Sequence, residues 1–262
     1  MDLGLKGRRA LVCGSTQGIG KAVALELATL GADVVLLARN AESLQSTLLE
    51  LDSKAGQKHT VICADLTQPD SLAALVANEI SKNGPIQILV NNTGGPASGP
   101  ILNAKTEEFI SAFQQHLICN HILAHTCAEG MKSIGYGRII NVISTSVKAP
   151  LPNLGVSNTI RAAVGNWSKT LANELGRSGI TVNNVLPGAT MTQRLKSIIE
   201  AKAKRTGESI EKIENEMLHE IPLGRFAKAH EVANAVAFLA SPAAAYINGI
   251  NIPVDGGRTP NL

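Results

Sequence analysis

The chain has 262 residues, 44% of them apolar, 17% charged and only 3% aromatic, with a formal net charge of +3. This composition excludes a disordered chain and requires a large core built from Ala, Val, Ile and Leu, and the scattered charges include no basic tract that would suit nucleic acid or an anionic membrane. No apolar run is long enough to span a bilayer, and no hydrophobic region precedes a cleavage site near the N-terminus, so a soluble cytoplasmic protein is expected.

In chain order, residues 9–13 read as a strand and 19–30 as a helix with one apolar face. A second strand (33–38) and helix (41–54) follow, then a strand at 60–64 and a helix over 69–82. Further strands are expected at 86–91, 138–143, 181–186 and 249–254, with helices over 107–132, 153–176 and 229–239 between and after them. The alternation implies an α/β fold: one doubly wound, Rossmann-type domain over 1–262, with a seven-stranded parallel sheet and right-handed crossovers. The Lys- and Glu-rich segment 192–222, interrupted at Gly207, reads either as a solvated helical pair on the rim or as a lid over a substrate site. Cys13, Cys63, Cys119 and Cys127 form no C-x-x-C pair and read as small buried hydrophobes in a reducing compartment.

Gly14-Ser15-Thr16-Gln17-Gly18-Ile19-Gly20 lies between the first strand and the first helix. Glycines there let the backbone approach a pyrophosphate, and the helix N-terminus offers free N–H groups. The spacing is G-x-x-x-G-x-G, and it resembles the nucleotide loop of the short-chain dehydrogenase/reductase family. Other residues fit the same family in order: Asp65-Leu66, Asn91-Asn92-Thr93-Gly94, Pro187-Gly188, Tyr246-Ile247-Asn248-Gly249 and Val254-Asp255-Gly256-Gly257. The resemblance covers essentially the whole chain. It implies that Asp65 and Leu66 meet the adenine, that Asn92, Thr93 and Gly94 flank the cofactor, and that Pro187, Gly188, Thr190 and Thr192 serve the nicotinamide. Where NAD enzymes usually place an acid, this chain has Ala38 followed by Arg39, which suits a 2′-phosphate; NADP(H) is therefore expected, with NAD(H) as the alternative.

At the positions where the family places its catalytic Ser, Tyr, Lys and Asn, this chain has Ser144, Ser157, Arg161 and His116. Its two tyrosines, Tyr136 and Tyr246, lie elsewhere, which counts against the enoyl- and dienoyl-reductase branches. The pattern resembles an atypical beta-ketoacyl-reductase-like subgroup lacking the usual Tyr and Lys. A serine hydroxyl is a far poorer acid than a phenol, and arginine cannot relay a proton. Arg161 can hold ribose hydroxyls, and Ser144 and Ser157 can hydrogen-bond a carbonyl. His116 is either a proton donor titrating near neutral pH or a tolerated helix residue in a site that no longer uses the relay. Lys148 reads as a solvated loop lysine. His121 and His125 have metal-ligand spacing without a third ligand, so helix packing is the expectation and no metal is.

Two functions follow from these readings. One is an NADP(H)-dependent oxidoreductase acting on a carbonyl or alcohol of a small molecule, 3-oxoacyl-type or another ketone. The other is an NADP(H)-binding protein without turnover. The long helices resemble those that pair between subunits of the family, which implies a homo-oligomer, a tetramer.

Overall fold

The short apolar runs assemble into one seven-stranded parallel sheet in the computed structural model, which describes residues 1–261. The strands are β1 (Arg9–Cys13), β2 (Asp33–Ala38), β3 (Thr60–Cys63), β4 (Ile88–Asn91), β5 (Gly137–Val142), β6 (Ile180–Pro187) and β7 (Asn251–Val254). Their spatial order is β3-β2-β1-β4-β5-β6-β7. The winding direction changes between β1 and β4, which opens a crevice at the carboxyl ends of those two strands.

The helices are α1 (Gly18–Thr29), α2 (Ala41–Leu48), α3 (Leu72–Asn83), α4 (Thr106–Phe113), α5 (Cys119–Ile134), α6 (Gly155–Leu175), α7 (Gln193–Thr206), α8 (Ile210–His219) and α9 (Ala229–Ala240). Alternate residues of each strand feed opposite faces of the sheet. Ala10 and Val12 of β1 pack with Val23 and Leu27 of α1 and Val232 and Val236 of α9. Leu11 and Cys13 point the other way, toward Val76 of α3 and Leu123 and Met131 of α5. Each fully buried Val, Leu or Met side chain contributes roughly 1.5–3 kcal/mol, so slipping β1 by one residue would exchange two fitted faces. Among the described residues no helix is long and apolar enough to cross a membrane.

One polar row crosses this apolar sheet. Asn91, Asn141, Asn184 and Asn251 stand in register on β4, β5, β6 and β7. Asn91 Nδ2 donates to Asn141 Oδ1 (2.8 Å), Asn141 Nδ2 to Asn184 Oδ1 (3.0 Å), and Asn184 Nδ2 to Asn251 Oδ1 (2.8 Å). Ser168 of α6 joins the row: its Oγ accepts from Asn141 Nδ2 and donates to Asn184 Oδ1, both at 2.7 Å. Buried amides left unpaired are costly, so these bonds fix both the strand register and the seat of α6.

The structure corrects several expected boundaries. The second helix stops at Leu48 instead of running to residue 54. Beyond it Leu51 tucks into the core, and Asp52 Oδ1 accepts from the Lys54 amide, a local bond that competes with helix. The expected continuous helix over 107–132 is interrupted by a π-helical turn at Gln114–Ile118, between α4 and α5. The next long helix begins at Gly155 because Asn153 has φ 59, a left-handed conformation that cannot start a helix. Of the four cysteines, Cys13, Cys119 and Cys127 are buried as expected but Cys63 is exposed. Burial raises the buried thiols, Cys119 to about 11 and Cys127 to about 12, which leaves them protonated.

Candidate active site

At the crevice the chain must turn from β1 into α1 in a few residues. Gly14 and Gly18 take φ 58 and 53. A Cβ on Gly20 would lie 2.1 Å from the Gly14 carbonyl oxygen and 2.6 Å from Asn92 Nδ2. The turn is therefore a cradle that only glycine can form. Asn92 clamps it from β4, its Nδ2 donating to the Cys13 and Gly14 carbonyls at 3.2 and 3.4 Å. Ser15 is buried and points its Oγ at the Leu37 carbonyl, which ties the turn to β2. Gln17 caps α1 without a side-chain hydrogen bond, so the first N–H groups of the helix remain available to an anion. The geometry thus fits the pyrophosphate of a dinucleotide.

A single cleft of about 760 Å³ runs from this cradle across the ends of β1, β4, β5 and β6. Thr16, Gly18 and Ile19 line it near the pyrophosphate position, and Arg39, Asp65 and Leu66 line its adenosine end. Arg39 is exposed and has no carboxylate partner among the described residues. Asp65 Oδ1 accepts from the Thr67 amide at 2.9 Å. Asn92, Thr93 and Gly94 form the floor, and Pro187, Gly188, Thr190 and Thr192 the far wall. Thr190 Oγ1 donates to the Gly188 carbonyl, and Thr192 caps α7.

Helical periodicity explains the next wall. Ser157, Arg161, Val164 and Ser168 fall at i, i+4, i+7 and i+11 on α6, so they share one face. Ser168 seats that face on the asparagine row, and Ser157 and Arg161 line the cleft beside Ser144. Ser144 follows β5 and its Oγ accepts from the Ser146 amide at 3.1 Å. Arg161 is 7% exposed and anchored by Nη1 donating to the Val142 carbonyl at 3.1 Å. Burial, then the nearby Arg194 charge, push its guanidinium down to about 10, so it remains a cation at neutral pH.

The surroundings of His116 suit the second of its two readings, a tolerated helix residue. It sits in the π-helical turn, is 1% exposed, and its Nε2 has no hydrogen-bond partner. Burial, then the Arg161 charge, push it down to about 2; the Gly94 backbone acts weakly the other way. Desolvation beside a cation favours the neutral imidazole, which counts against a donor titrating near pH 7. Its neighbour Gln115 lines the cleft instead. His121 and His125 are exposed on α5 with ring centroids 6.4 Å apart, and His121 meets Trp167 of α6 edge-on, a contact between helices. Lys148 is not among the residues lining the cleft, and its carbonyl accepts from Asn261.

Sequence reasoning missed Leu151 and Leu154, from the loop before α6, and Arg194 of α7, all of which line the cleft. Ile198 of α7 and Met217 of α8 line it too, from the segment 192–222 that the sequence offers as a rim pair or a lid.

Comparison with known proteins agrees with this architecture. A family model described as enoyl-(acyl carrier protein) reductase matches residues 14–259. The NADPH-dependent reductase BacG of Bacillus subtilis is 32% identical over 256 residues, covering 97% of this chain and 99% of that protein. The 3-oxoacyl-acyl-carrier-protein reductase FabG of Pseudomonas aeruginosa is 34% identical over 257 residues, covering 97% and 98%. The crystal structure of L-sorbose reductase from Gluconobacter frateurii, complexed with NADPH and L-sorbose, matches with a TM-score of 0.93 at 32% identity over 100% of both chains.

Proposed function

Because the chain belongs to the short-chain dehydrogenase/reductase family, we propose that it is an NADP(H)-dependent oxidoreductase that reduces a ketone, of 3-oxoacyl or related type, to an alcohol. We place it in an atypical beta-ketoacyl-reductase-like subgroup, since Ser157 and Arg161 occupy the usual Tyr and Lys positions. The observation that carries the reading is that one cleft joins the glycine cradle to Ser144, Ser157 and Arg161. The reading further takes the site as cytoplasmic and assembled in a homotetramer.

In this reading the Gly14–Gly20 turn receives the pyrophosphate and Arg39 the 2′-phosphate, which favours NADP(H) over NAD(H). Asp65 and Leu66 face the adenine, Asn92, Thr93 and Gly94 the adenosine side, and Pro187, Gly188, Thr190 and Thr192 the nicotinamide. When bound, NADPH supplies the hydride. Ser144 and Ser157 Oγ donate to the substrate carbonyl oxygen. Arg161 holds ribose hydroxyls and lends positive potential to the oxygen as negative charge builds there. With His116 neutral and no tyrosine in reach, the proton comes from water entering the cleft. Residues 192–222, whose α7 and α8 contribute Leu195, Ile198 and Met217 to the cleft, act as its lid.

A positioned general acid typically contributes about 10²–10⁴-fold, so turnover is expected to be slow. Calorimetric NADPH binding followed by NADPH oxidation against ketones, acyl thioesters and alcohols tests the proposal. Tight binding without turnover on any of them would favour the second reading, a cofactor-binding protein, which the altered Ser157 and Arg161 positions also suit.

A further inference from the structure

The charges along the cleft are unevenly matched. Two of its basic side chains have carboxylate partners: Arg258 pairs with Glu220, and Lys202 pairs with Glu216. Arg39, Arg161, Arg194 and Arg205 have none among the described residues, and of these Arg161 and Arg194 are near enough for one charge to act on the other.

Arg194 is held in place by backbone alone. Its Nη2 donates to the Pro96 carbonyl, across the cleft mouth from α7 to the loop after β4. Its guanidinium lies over Gly95, where a Cβ would come within 3.3 Å of Nη2. Gly95 thus admits the close approach, and the contact uses only part of the five-donor fork. Arg161 lies deeper. Its Nη1 is spent on Val142, its buried Nε has no partner, and Nη2 has no protein partner among the described residues. The two cations are close enough for Arg194 to lower the Arg161 guanidinium. Two mutually repelling guanidinium groups, one of them buried, are unfavourable with nothing between them and favourable around an anion. A guanidinium fork also matches the planar oxygens of a carboxylate or phosphate better than any neutral polar group.

We propose that Arg194 binds an anion of the substrate, with the buried Arg161 charge behind it adding attraction, so that the carbonyl compound reduced here also carries a carboxylate or a phosphate. The proposal rests on the reductase reading above and names its substrate class. The cofactor phosphates have their own seats, at the Gly14–Gly20 cradle and at Arg39. Arg194 is therefore a specificity residue, and its loss should appear in recognition of charged substrate, not in cofactor affinity.

The test uses matched probes that differ in one charge. Acetoacetate is compared with methyl acetoacetate, and dihydroxyacetone phosphate with dihydroxyacetone, in the full chain and in its Arg194→Gln and Arg194→Lys variants. A charge-assisted hydrogen-bonded pair corresponds to about tenfold or more in discrimination. The parent is expected to favour one anionic member over its neutral partner by that factor in kcat/KM, and the pair favoured tells carboxylate from phosphate. Arg194→Gln should erase the preference through KM, and Arg194→Lys should keep part of it. NADPH affinity, measured by calorimetry, should change by less than about threefold across the set. If no probe turns over, and none of the ketones, acyl thioesters and alcohols does either, the reductase reading fails by itself. The anion site is then decided by calorimetry of acetoacetate and dihydroxyacetone phosphate on the NADP⁺-loaded protein, where weaker binding in Arg194→Gln supports it and equal binding overturns it. Equal kcat/KM for charged and neutral partners in the parent would overturn it. So would a large loss of NADPH affinity in Arg194→Gln with the anion preference intact.

Discussion

Arg161 Nη1 donates to the Val142 carbonyl at 3.1 Å, which locks a cation of α6 onto the end of β5, two residues before Ser144. The positive charge is thereby part of the wall and does not need the cofactor or substrate to order it. In the proposed reaction this preorganisation would let a site without a phenol favour negative charge on a carbonyl oxygen.

Restoring the proton donor tests that account. Ser157→Tyr combined with Arg161→Lys should raise kcat for a ketone turned over by the parent by about 10². Ser157→Ala alone should mainly raise KM, because it removes a hydrogen bond to the carbonyl and no acid. An unchanged kcat in the double variant, with NADPH still bound, rejects the account that a missing proton donor limits turnover.

Cofactor choice is expected to follow Arg39, which stands exposed at the adenosine end of the cleft with no carboxylate partner among the described residues. The parent should bind NADPH more tightly than NADH, and Arg39→Ala should cut the preference by about tenfold or more, the value of a charge-assisted contact. Calorimetry reads both affinities; equal values in the parent sink the idea.

Gly20→Ala should abolish tight NADPH binding. The added methyl would sit 2.1 Å from the Gly14 oxygen, so the turn must open. Overpacking of this kind costs roughly 1–3 kcal/mol. Circular dichroism should show the fold retained, and NADPH affinity equal to that of the parent would count against the cradle.

The pH dependence carries a definite sign. His116 is held down at about 2 in the folded chain against an ordinary 6.5. Between those values the unfolded chain binds a proton that the folded chain refuses. Stability contributed by the neutral imidazole is thus present above about pH 6.5 and is lost as pH falls below it. Urea unfolding at pH 7.5 and 4.5 should show a smaller acid loss in His116→Asn than in the parent. The same variant should leave the pH–rate profile unchanged between pH 6 and 9, and a flattened profile would restore His116 as donor.

Assembly is expected through the outward faces of α4, α5 and α6. Ile110 and Phe113 of α4 are 54% and 40% exposed, and His121 of α5, itself exposed, meets Trp167 of α6 edge-on. Such apolar surface on the long helices suits a symmetric partner copy, in a homotetramer. Light scattering that finds only monomer at micromolar concentration would rule this out.

The sheet and cofactor cradle were legible because each rests on local rules. A parallel core strand is a short apolar run, and a glycine turn between strand and helix has few other uses. The chemistry of His116 was not legible: its position in the chain was right, but its burial and the adjoining Arg161 charge depend on a π-helical turn with no signature in the residues. Arg194 was hidden for a similar reason. Only the fold brings α7 over Gly95, and in the sequence Arg194 is one more cation in a lysine-rich helix. The end of the second helix and the break within the long helix before β5 escaped because side-chain competition at Asp52 and an extra residue per turn at Gln114–Ile118 override periodicity.

The asparagine row also has a polarity. Each Nδ2 points toward β7 and each Oδ1 toward β4, so Asn91 Oδ1 is left at the β1 side, buried and without a partner. No single amide in the interior of the row can flip without facing its neighbours donor to donor or acceptor to acceptor. The four therefore reverse together or not at all, and Ser168 must turn its hydroxyl proton with them. A substitution at Asn251, on the outermost strand, would in this way be felt at Asn91, beside Asn92 and the cradle it clamps, three strands away.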